Sequence, residues 1–184
     1  MSNFPNKQFN GVIYTFDHLN PMFMKVPLNA QETTFIDMHV TFGCHCFTEV
    51  FDPVQHFEPH RYMHKGELRA FDLLRNECSL QLPLVMQSLL RGTIYNADDS
   101  YSYAAHITIP SLQGAQSYSV FFSLEKDKSV SVPAARMFVK SAYLKRFVAK
   151  ANAQNWRFAS LVGQVSGAFP PKEKKSRPTK KKAP

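Results

Sequence analysis

The sequence predicts an α+β protein: a single domain in which an antiparallel sheet packs on one or more helices, followed by a disordered basic tail. Two observations predict this fold. An amphipathic helix pattern near the middle of the chain is followed by strand-like segments at hairpin spacing, which is typical of a helix packed on a meander. The hydrophobic fraction of 44% and the 16 phenylalanines provide enough apolar surface for a folded core.

Composition and charge divide the 184 residues into three parts. Residues 1–10 are polar and turn-rich and predict a flexible arm, whereas residues 11–169 fit a single α+β domain of the usual size. The Lys-rich tail, residues 170–184, holds seven basic side chains against one acidic side chain and so carries +6 of the formal net charge of +8. Such a tail either binds phosphate groups through its charge or is a solubilising or added terminus.

The first half of the domain contains three predicted strands. Residues 11–16 form a short β-prone run, and two prolines bound residues 22–28, which is typical of an edge strand. Residues 33–42 form the clearest strand, because apolar and polar side chains alternate there. In residues 54–66 histidines recur every fourth residue, but Pro59 prevents one continuous helix through them. We therefore expect an irregular, mobile loop in that segment.

The second half predicts a helix, a meander and a further helical region. Residues 79–91 place their apolar side chains close to one helical face, with Pro83 in the first turn and Gly92 as the C-terminal stop. Strand-like segments follow at residues 92–96, 101–109, 118–124 and 136–143. Residues 145–163 lack proline and predict one or two helices, one of them anchored by Trp156.

The end of the third strand carries a cluster of reactive side chains in the segment GCHCFTE, residues 43–49. If the strand continues through Gly43, His45 lies on its polar face while Cys44 and Cys46 lie on its apolar face. A bulge at Gly43 would change that phase.

Four short segments carry a resemblance to known proteins. They are HCFTE at 45–49, RAFDLLRNECSLQLP at 69–83, YSVFF at 118–122 and VKSAY at 139–143. Together they resemble an uncharacterised bacterial family sometimes labelled a stationary-phase growth adaptation protein. The order of helices before a four-stranded antiparallel sheet is similar to the small nucleases that include barnase, EndoU, colicin nucleases and RelE. That likeness implies RNA cleavage without a metal ion, although residues 1–66 depart from the minimal form of that fold.

Metal-free RNA cleavage needs a base, an acid, and donors for the charge that develops on phosphorus. Histidine changes its charge near neutral pH and suits either proton-transfer role, while the guanidinium fork of arginine suits phosphate oxygens. Tyrosine and serine add hydroxyl donors, and tyrosine a stacking surface. The candidate catalytic residues are His45, Arg69, Arg75, His106 and Tyr143. The candidate substrate-binding residues are Thr48, Tyr103, Ser141 and Lys140.

Each candidate also has a purely structural interpretation. His45 would be a hydrogen-bonded residue at the end of a strand. The two arginines would pair with nearby carboxylates, at Glu67, Asp72 or Glu77. The tyrosines at positions 103 and 143 would be ordinary half-buried strand residues.

The cysteines and the loop histidines allow other chemistries. Zinc binding is one, and its candidate ligands are Cys44, Cys46, His56 and His60. The Cys-x-Cys spacing is not that of the usual zinc knuckle. Cys46 beside an imidazole is also a candidate nucleophile. For the ribonuclease we expect no cofactor.

Several common signatures are missing from the sequence. It contains no phosphate-binding loop, no dinucleotide glycine pattern, no Gly-x-Ser-x-Gly elbow and no His-Glu-x-x-His helix, which disfavours nucleotide hydrolysis, dehydrogenation and hydrolase-fold chemistry. The first residues do not resemble a signal peptide, and the apolar runs fall far short of the ~20 residues of a membrane span. Three cysteines form no disulfide framework. We therefore expect a cytoplasmic protein without membrane contact.

We expect a bacterial, toxin-like or stress-linked ribonuclease that acts on RNA without a metal ion and is restrained by an antitoxin-like protein partner. The first alternative is a non-catalytic module that binds protein or nucleic acid with the help of its basic tail. The second alternative is a zinc-binding protein. The sequence leaves these three functions open.

Overall fold

A seven-stranded mixed sheet is the main element of the computed structural model, which describes residues 3–97, 102–111, 114–145 and 154–169. In spatial order its strands are β12 (Asn155–Arg157), β8 (Thr93–Asn96), β9 (Ser102–Ser111), β10 (Gly114–Lys126), β11 (Ala134–Leu144), β4 (Phe35–His45) and β3 (Met22–Pro27). Neighbouring strands are antiparallel except β11 and β4, which run parallel. Two strands from the first half of the chain therefore extend the expected meander.

Two smaller sheets, three helices and two short 3-10 turns complete the fold of the described residues. β1 (Lys7–Phe9) pairs with β2 (Val12–Tyr14), and a three-stranded sheet has the order β5 (Thr48–Val50), β7 (Glu67–Phe71), β6 (Arg61–His64). The helices are α1 (Leu73–Ser79), α2 (Leu82–Leu89) and α3 (Phe158–Ser166). This is the expected α+β class, a largely antiparallel sheet packed on helices.

The strand β4 confirms the predicted alternation and its phase. Its apolar side chains are buried in one core with side chains of α2 and α3, and its polar side chains lie on the opposite, outer face. The strand continues through Gly43 to His45, although it holds one residue more than β11 at this point, because Phe42 and His45 pair with Val139 and Ser141. The alternation of burial is kept through this irregularity. His45 is therefore partly exposed, while both adjacent cysteines are buried.

Residues 3–10 are anchored, which corrects the expectation of a flexible arm over residues 1–10 for the part of that segment that the structure describes. Within the described part of that segment, Phe4 is only 4% exposed. The hydroxyl of Tyr62 donates to the Pro5 carbonyl oxygen at 3.0 Å. The partners come from a distant part of the chain, so a polar local composition does not reveal them.

Two further expectations need correction. Residues 54–66 contain a 3-10 turn over Glu58–His60 and the strand β6, so the segment is not an irregular loop throughout. Trp156 lies on β12, and α3 begins only at Phe158. Parts of the predicted elements, at residues 98–101 and 146–153, and the tail at 170–184 lie outside the described residues.

An aromatic cluster packs beneath the connection between β4 and β5. Phe47, in that connection, is fully buried and stacks on Phe16 with ring centroids 3.9 Å apart. The rings of Phe4 and Tyr62 meet Phe47 edge-on, with centroids at 5.2 and 5.1 Å. Such pairs stabilise the fold beyond the burial of their area. The cluster thus fixes the connection that leads into the candidate site.

Replacing Phe47 with alanine should destabilise the protein by about 3–5 kcal/mol, because a fully buried ring is removed and a cavity remains. The matched control is Phe57→Ala, at a ring that is 69% exposed. The control should change the free energy of unfolding by less than about 0.5 kcal/mol. Urea denaturation followed by circular dichroism measures both variants. Equal midpoints would contradict the role assigned to the cluster.

Candidate functional site

The chain reverses tightly between β4 and β5. The Cys46 amide N–H donates to the Gly43 carbonyl oxygen at 3.2 Å. The Phe47 amide N–H donates to the Cys44 carbonyl oxygen at 3.1 Å, and the Thr48 hydroxyl donates to the same oxygen at 2.7 Å. Thr48 is fully buried, so its carbonyl oxygen and its hydroxyl lone pairs need partners inside the protein.

Arg69, on the central strand β7 of the small sheet, supplies such a partner. Its Nε donates to the Thr48 hydroxyl oxygen at 3.2 Å, and its Nη2 approaches the Thr48 carbonyl oxygen at 3.5 Å. Its Nη1 donates to Oε1 of Glu67 at 3.1 Å. The Arg69 side chain is only 9% exposed. These contacts hold the guanidinium in place and orient the Glu67 carboxylate.

His45 and Glu67 form the solvent-facing pair of the site. Nε2 of His45 lies 3.2 Å from Oε1 and 3.3 Å from Oε2 of Glu67. The two side chains are 38% and 52% exposed. The hydrogen bond with His45 lowers the pKa of the Glu67 carboxyl group, and Arg69 lowers it further. Glu67 is therefore ionised at neutral pH, and its oxygens accept hydrogen bonds.

Arg75 extends the site toward β11. It lies in the first turn of α1, where the Asp72 carboxylate accepts its amide N–H at 3.0 Å. Its Nη1 donates to the Thr48 carbonyl oxygen at 3.1 Å, and its guanidinium lies 5.0 Å from the centre of the Tyr143 ring. Its Nη2 and Nε lie 3.8 and 3.7 Å from oxygens of Glu49 and Asp72, beyond hydrogen-bonding distance.

A surface pocket of about 450 Å³ opens beside Arg75. Its lining includes two cationic side chains, Arg75 and Lys145, and one carboxylate, Asp72, together with the Tyr143 ring. The excess of positive charge and the fork of Arg75 donors favour an anion such as a phosphate group. Its lining does not include His45 or Glu67, and it adjoins the rest of the site through Arg75.

His56 holds the Glu49 carboxylate, which lies near Arg75. The Asp52 amide N–H donates to Nδ1 of His56 at 2.9 Å, which leaves the proton of the neutral imidazole on Nε2. Nε2 donates to Oε1 of Glu49 at 2.9 Å. Both ring nitrogens of His56 are engaged, so His56 orients Glu49 and does not offer a free nitrogen to a metal ion.

Three side chains in the described residues bring potential metal ligands together. Ligand atoms of Cys44, His45 and Glu67 lie within 4.8 Å of one another. This group contains none of the other residues of the zinc alternative, Cys46, His56 and His60. Burial raises the pKa of the Cys44 thiol, and it raises the pKa of Cys46 to about 12. Cys46 therefore stays a neutral thiol and is not an activated nucleophile.

Most of the candidates from the sequence meet at this site. The residues connected by the contacts above are His45, Thr48, Arg69, Arg75 and Tyr143. Ser141 of β11 pairs with His45 in the parallel register, and Lys140 lies at the adjoining register shift. Contacts expected from the purely structural interpretation are also present, because Arg69 contacts Glu67 and Arg75 approaches Asp72.

Two candidates lie apart from the site. Tyr103 is only 6% exposed and packs edge-on against Trp156 in the core, so it does not contact a substrate from this position. His106 is exposed on β9, and Ser119 of β10 lies between it and Tyr143 in the sheet register. Two strand spacings correspond to about 10 Å. His106 therefore belongs to the rim and not to the cluster.

Glu67 appears among the sequence-derived residues only as a partner for an arginine, and Glu49 only as the last residue of the GCHCFTE segment, with no role of its own. A signal for Glu67 exists in Lys65-Gly66, where both residues have positive φ, 49° and 82°. A two-residue turn of this kind joins β6 to β7. With that hairpin recognised, strand alternation places Glu67 and Arg69 side by side on one face. The contact of Glu49 with the loop residue His56 has no comparable signal.

The fold and the site together define an α+β protein with a solvent-open cluster of imidazole, carboxylate and guanidinium groups at one end of its large sheet. The chain belongs to the YjaZ family, whose model matches residues 6–166. This match supports the resemblance to an uncharacterised bacterial family, but not the stationary-phase label or the likeness to nucleases. No curated protein and no solved structure matches the chain significantly. The helices of the described residues all lack the length and apolar character of a membrane span.

Replacing Arg69 with lysine should lower the free energy of unfolding by about 1.5–3 kcal/mol, because one ammonium cannot serve both Thr48 and the Glu67 carboxylate. The control is Arg61→Lys, since Arg61 is 51% exposed and pairs with the exposed Glu58. There we expect a change below about 0.5 kcal/mol. Guanidinium denaturation compares the two. A loss at Arg69 no larger than at Arg61 would show that these contacts do not hold the site together.

Proposed function

We propose that this protein is a metal-independent ribonuclease in which His45 and Glu67 are the acid–base pair. The observation that supports this proposal is the 3.2 Å contact between an imidazole and a carboxylate that are both open to solvent. Groups of these two types transfer protons to and from a reacting phosphodiester. The neighbouring Arg75 and Lys145 add positive charge for the phosphate.

The proposed reaction needs only RNA and side chains of this protein. The Glu67 carboxylate accepts the proton of a ribose 2′-hydroxyl while the 2′-oxygen forms a bond to phosphorus. The bond between phosphorus and the 5′-oxygen breaks, and protonated His45 gives that oxygen a proton. The products are a 2′,3′-cyclic phosphate and a 5′-hydroxyl. A proton then returns from Glu67 to His45, for which their 3.2 Å contact provides a direct route.

The two arginines have different roles in this proposal. Arg75 is 23% exposed, and its Nε and Nη2 form no hydrogen bond with the nearest carboxylates, so these groups are open to phosphate oxygens. Arg69 is 9% exposed and is engaged by Thr48 and Glu67. Arg69 is therefore a positioning residue that acts through the Glu67 carboxylate.

His45→Ala and Glu67→Gln should each lower the rate of RNA cleavage by about 10²–10⁴-fold, the usual contribution of a positioned acid or base. The control is Glu58→Gln, because Glu58 is 80% exposed and lies outside the cluster. Cleavage of a fluorescent single-stranded RNA in the presence of a chelator measures the rates. A toxin-like ribonuclease that a protein partner restrains should also arrest growth when it is expressed without that partner, and this growth arrest is a second readout. Undiminished cleavage and growth arrest with His45→Ala would remove the catalytic assignment.

Zinc binding is a second candidate function for the same cluster. Thiolate, imidazole and carboxylate are ligand types that zinc takes, and three protein ligands with an open fourth position are typical of a catalytic zinc site. Cys44, His45 and Glu67 offer such atoms within 4.8 Å of one another. The Arg69 guanidinium, 3.1 Å from Oε1 of Glu67, opposes a cation at this place. For that reason the acid–base function is placed first.

Cys44→Ser separates these two functions, because Cys44 has no part in the acid–base reaction. For a metal-independent ribonuclease, the variant should cleave RNA at the wild-type rate, and a chelator should have no effect on either protein. For a zinc protein, elemental analysis should find about one zinc ion per chain in the wild type and a loss of that ion in the variant. A chelator should then stop any cleavage.

A further inference from the structure

The outer face of the large sheet leads directly to His45. On this face, opposite α2 and α3, β4 presents every second residue up to His45. The neighbouring strand β11 places Arg136 beside His39 and Phe138 beside Thr41 in the parallel register. The candidate site is thus one end of a longer exposed surface.

Aromatic rings lie on this face, where polar side chains are usual. Phe23, on the edge strand β3, is 80% exposed, and its ring stacks on His39 with centroids 4.7 Å apart. Phe138 is 43% exposed, and its ring lies 3.1 Å from the position that a Cβ atom at Gly43 would take. The absence of a side chain at Gly43 lets this ring pack against the β4 backbone, two residues from His45. Flat exposed rings of this kind are surfaces on which nucleobases stack.

A pocket of about 230 Å³ lies on this face next to the Phe138 ring. Its lining includes the Arg136 guanidinium, the Glu125 carboxylate and the hydroxyls of Thr41 and Ser123. Donors and acceptors beside an aromatic ring match the polar edge and the flat face of an unstacked base.

The charge on this face changes along its length. The carboxylates Asp37 and Glu125 lie at the end far from His45. From Arg136 toward the site, the outer positions of β10, β11 and β4 carry no carboxylate, and the half-buried Lys140 lies at the register shift of β11. Arg136 lies opposite Glu125 in the register of β10 and β11 but forms no ion pair with any described residue. The surface therefore complements a phosphate backbone that runs toward His45.

We infer that this face binds single-stranded RNA, with bases stacked on Phe23 and Phe138 and the backbone following β11 toward the candidate site. His39 and His45 are six residues apart on β4, a distance of about 20 Å, so the surface accommodates more than one nucleotide. An RNA duplex does not fit, because its bases are stacked inside the helix. The placement of the scissile phosphate at His45 rests on the proposed function, whereas the binding of the strand does not.

The test measures binding in the absence of cleavage. In the His45→Ala background, fluorescence anisotropy with a labelled single-stranded RNA of about 12 nucleotides compares Phe23→Ala and Phe138→Ala with Phe57→Ala. Phe57 is the matched control, because its ring is 69% exposed and lies away from β3 and β11. Phe23→Ala and Phe138→Ala should each weaken RNA binding about five- to hundredfold, the loss expected when one base can no longer stack. Phe57→Ala should bind as tightly as its parent.

A second variant leaves both rings in place. Arg136→Glu should weaken binding more at low salt than at high salt, because it removes a phosphate contact and adds a repulsive charge. Thermal melts of each variant check that it remains folded, which we expect because the three side chains are exposed.

Binding that is equal in the parent and in all these variants would overturn the inference, whatever the cleavage assay gives. A duplex of the same sequence that binds as tightly as the single strand would also overturn it. If binding depends on both rings while the wild type cleaves no RNA, the RNA-binding face stands and the proposed ribonuclease function fails. The two proposals are therefore separable.

Discussion

The buried carbonyl oxygen of Thr48 is the acceptor on which the candidate site depends. Arg75 donates to it from α1, and Arg69 approaches it from β7 while also donating to the Thr48 hydroxyl. Thr48 is fully buried, so water does not replace these partners. These contacts join the small sheet to α1, and the Thr48 hydroxyl joins them to β4 of the large sheet by donating to the Cys44 carbonyl oxygen. Since Arg69 also contacts Glu67, the pair formed by His45 and Glu67 takes its geometry from the same acceptor.

Periodicity in the sequence is sufficient to predict the elements that contact the core along one continuous face. β4, α2 and the strands β9 to β11 are predicted because their apolar positions repeat over many residues. The three-residue strands β5 and β12 have no detectable period, and distant strands supply their hydrogen bonds. Local periodicity also does not predict the parallel pairing of β11 with β4, because this pairing joins two segments that are far apart in the chain.

The candidate site likewise has one part that the local sequence predicts and one part that depends on distant segments. The exposure of His45 follows from strand phase, whereas its contact with Glu67 depends on a hairpin that returns from the small sheet. The prediction of Tyr103 as a substrate-binding residue fails for a physical reason. Alternation identifies the two faces of β9 but does not say which face the rest of the protein covers. Tyr103 is on the covered face and His106 on the open one. The outer face of the large sheet illustrates the same limit, since Phe23 is exposed although it is apolar.

The most direct test of the acid–base mechanism is the chemical identity of the RNA ends, because transfer of the 2′-hydroxyl proton to Glu67 requires that hydroxyl as the nucleophile. Mass spectrometry of a single-stranded RNA treated with the protein and a chelator gives this identity, and the same RNA with 2′-O-methyl groups serves as its control. Unmodified RNA should yield 2′,3′-cyclic phosphate ends, and the methylated RNA should remain intact. Cleavage of the methylated RNA, or 5′-phosphate ends that form only without the chelator, would contradict the mechanism.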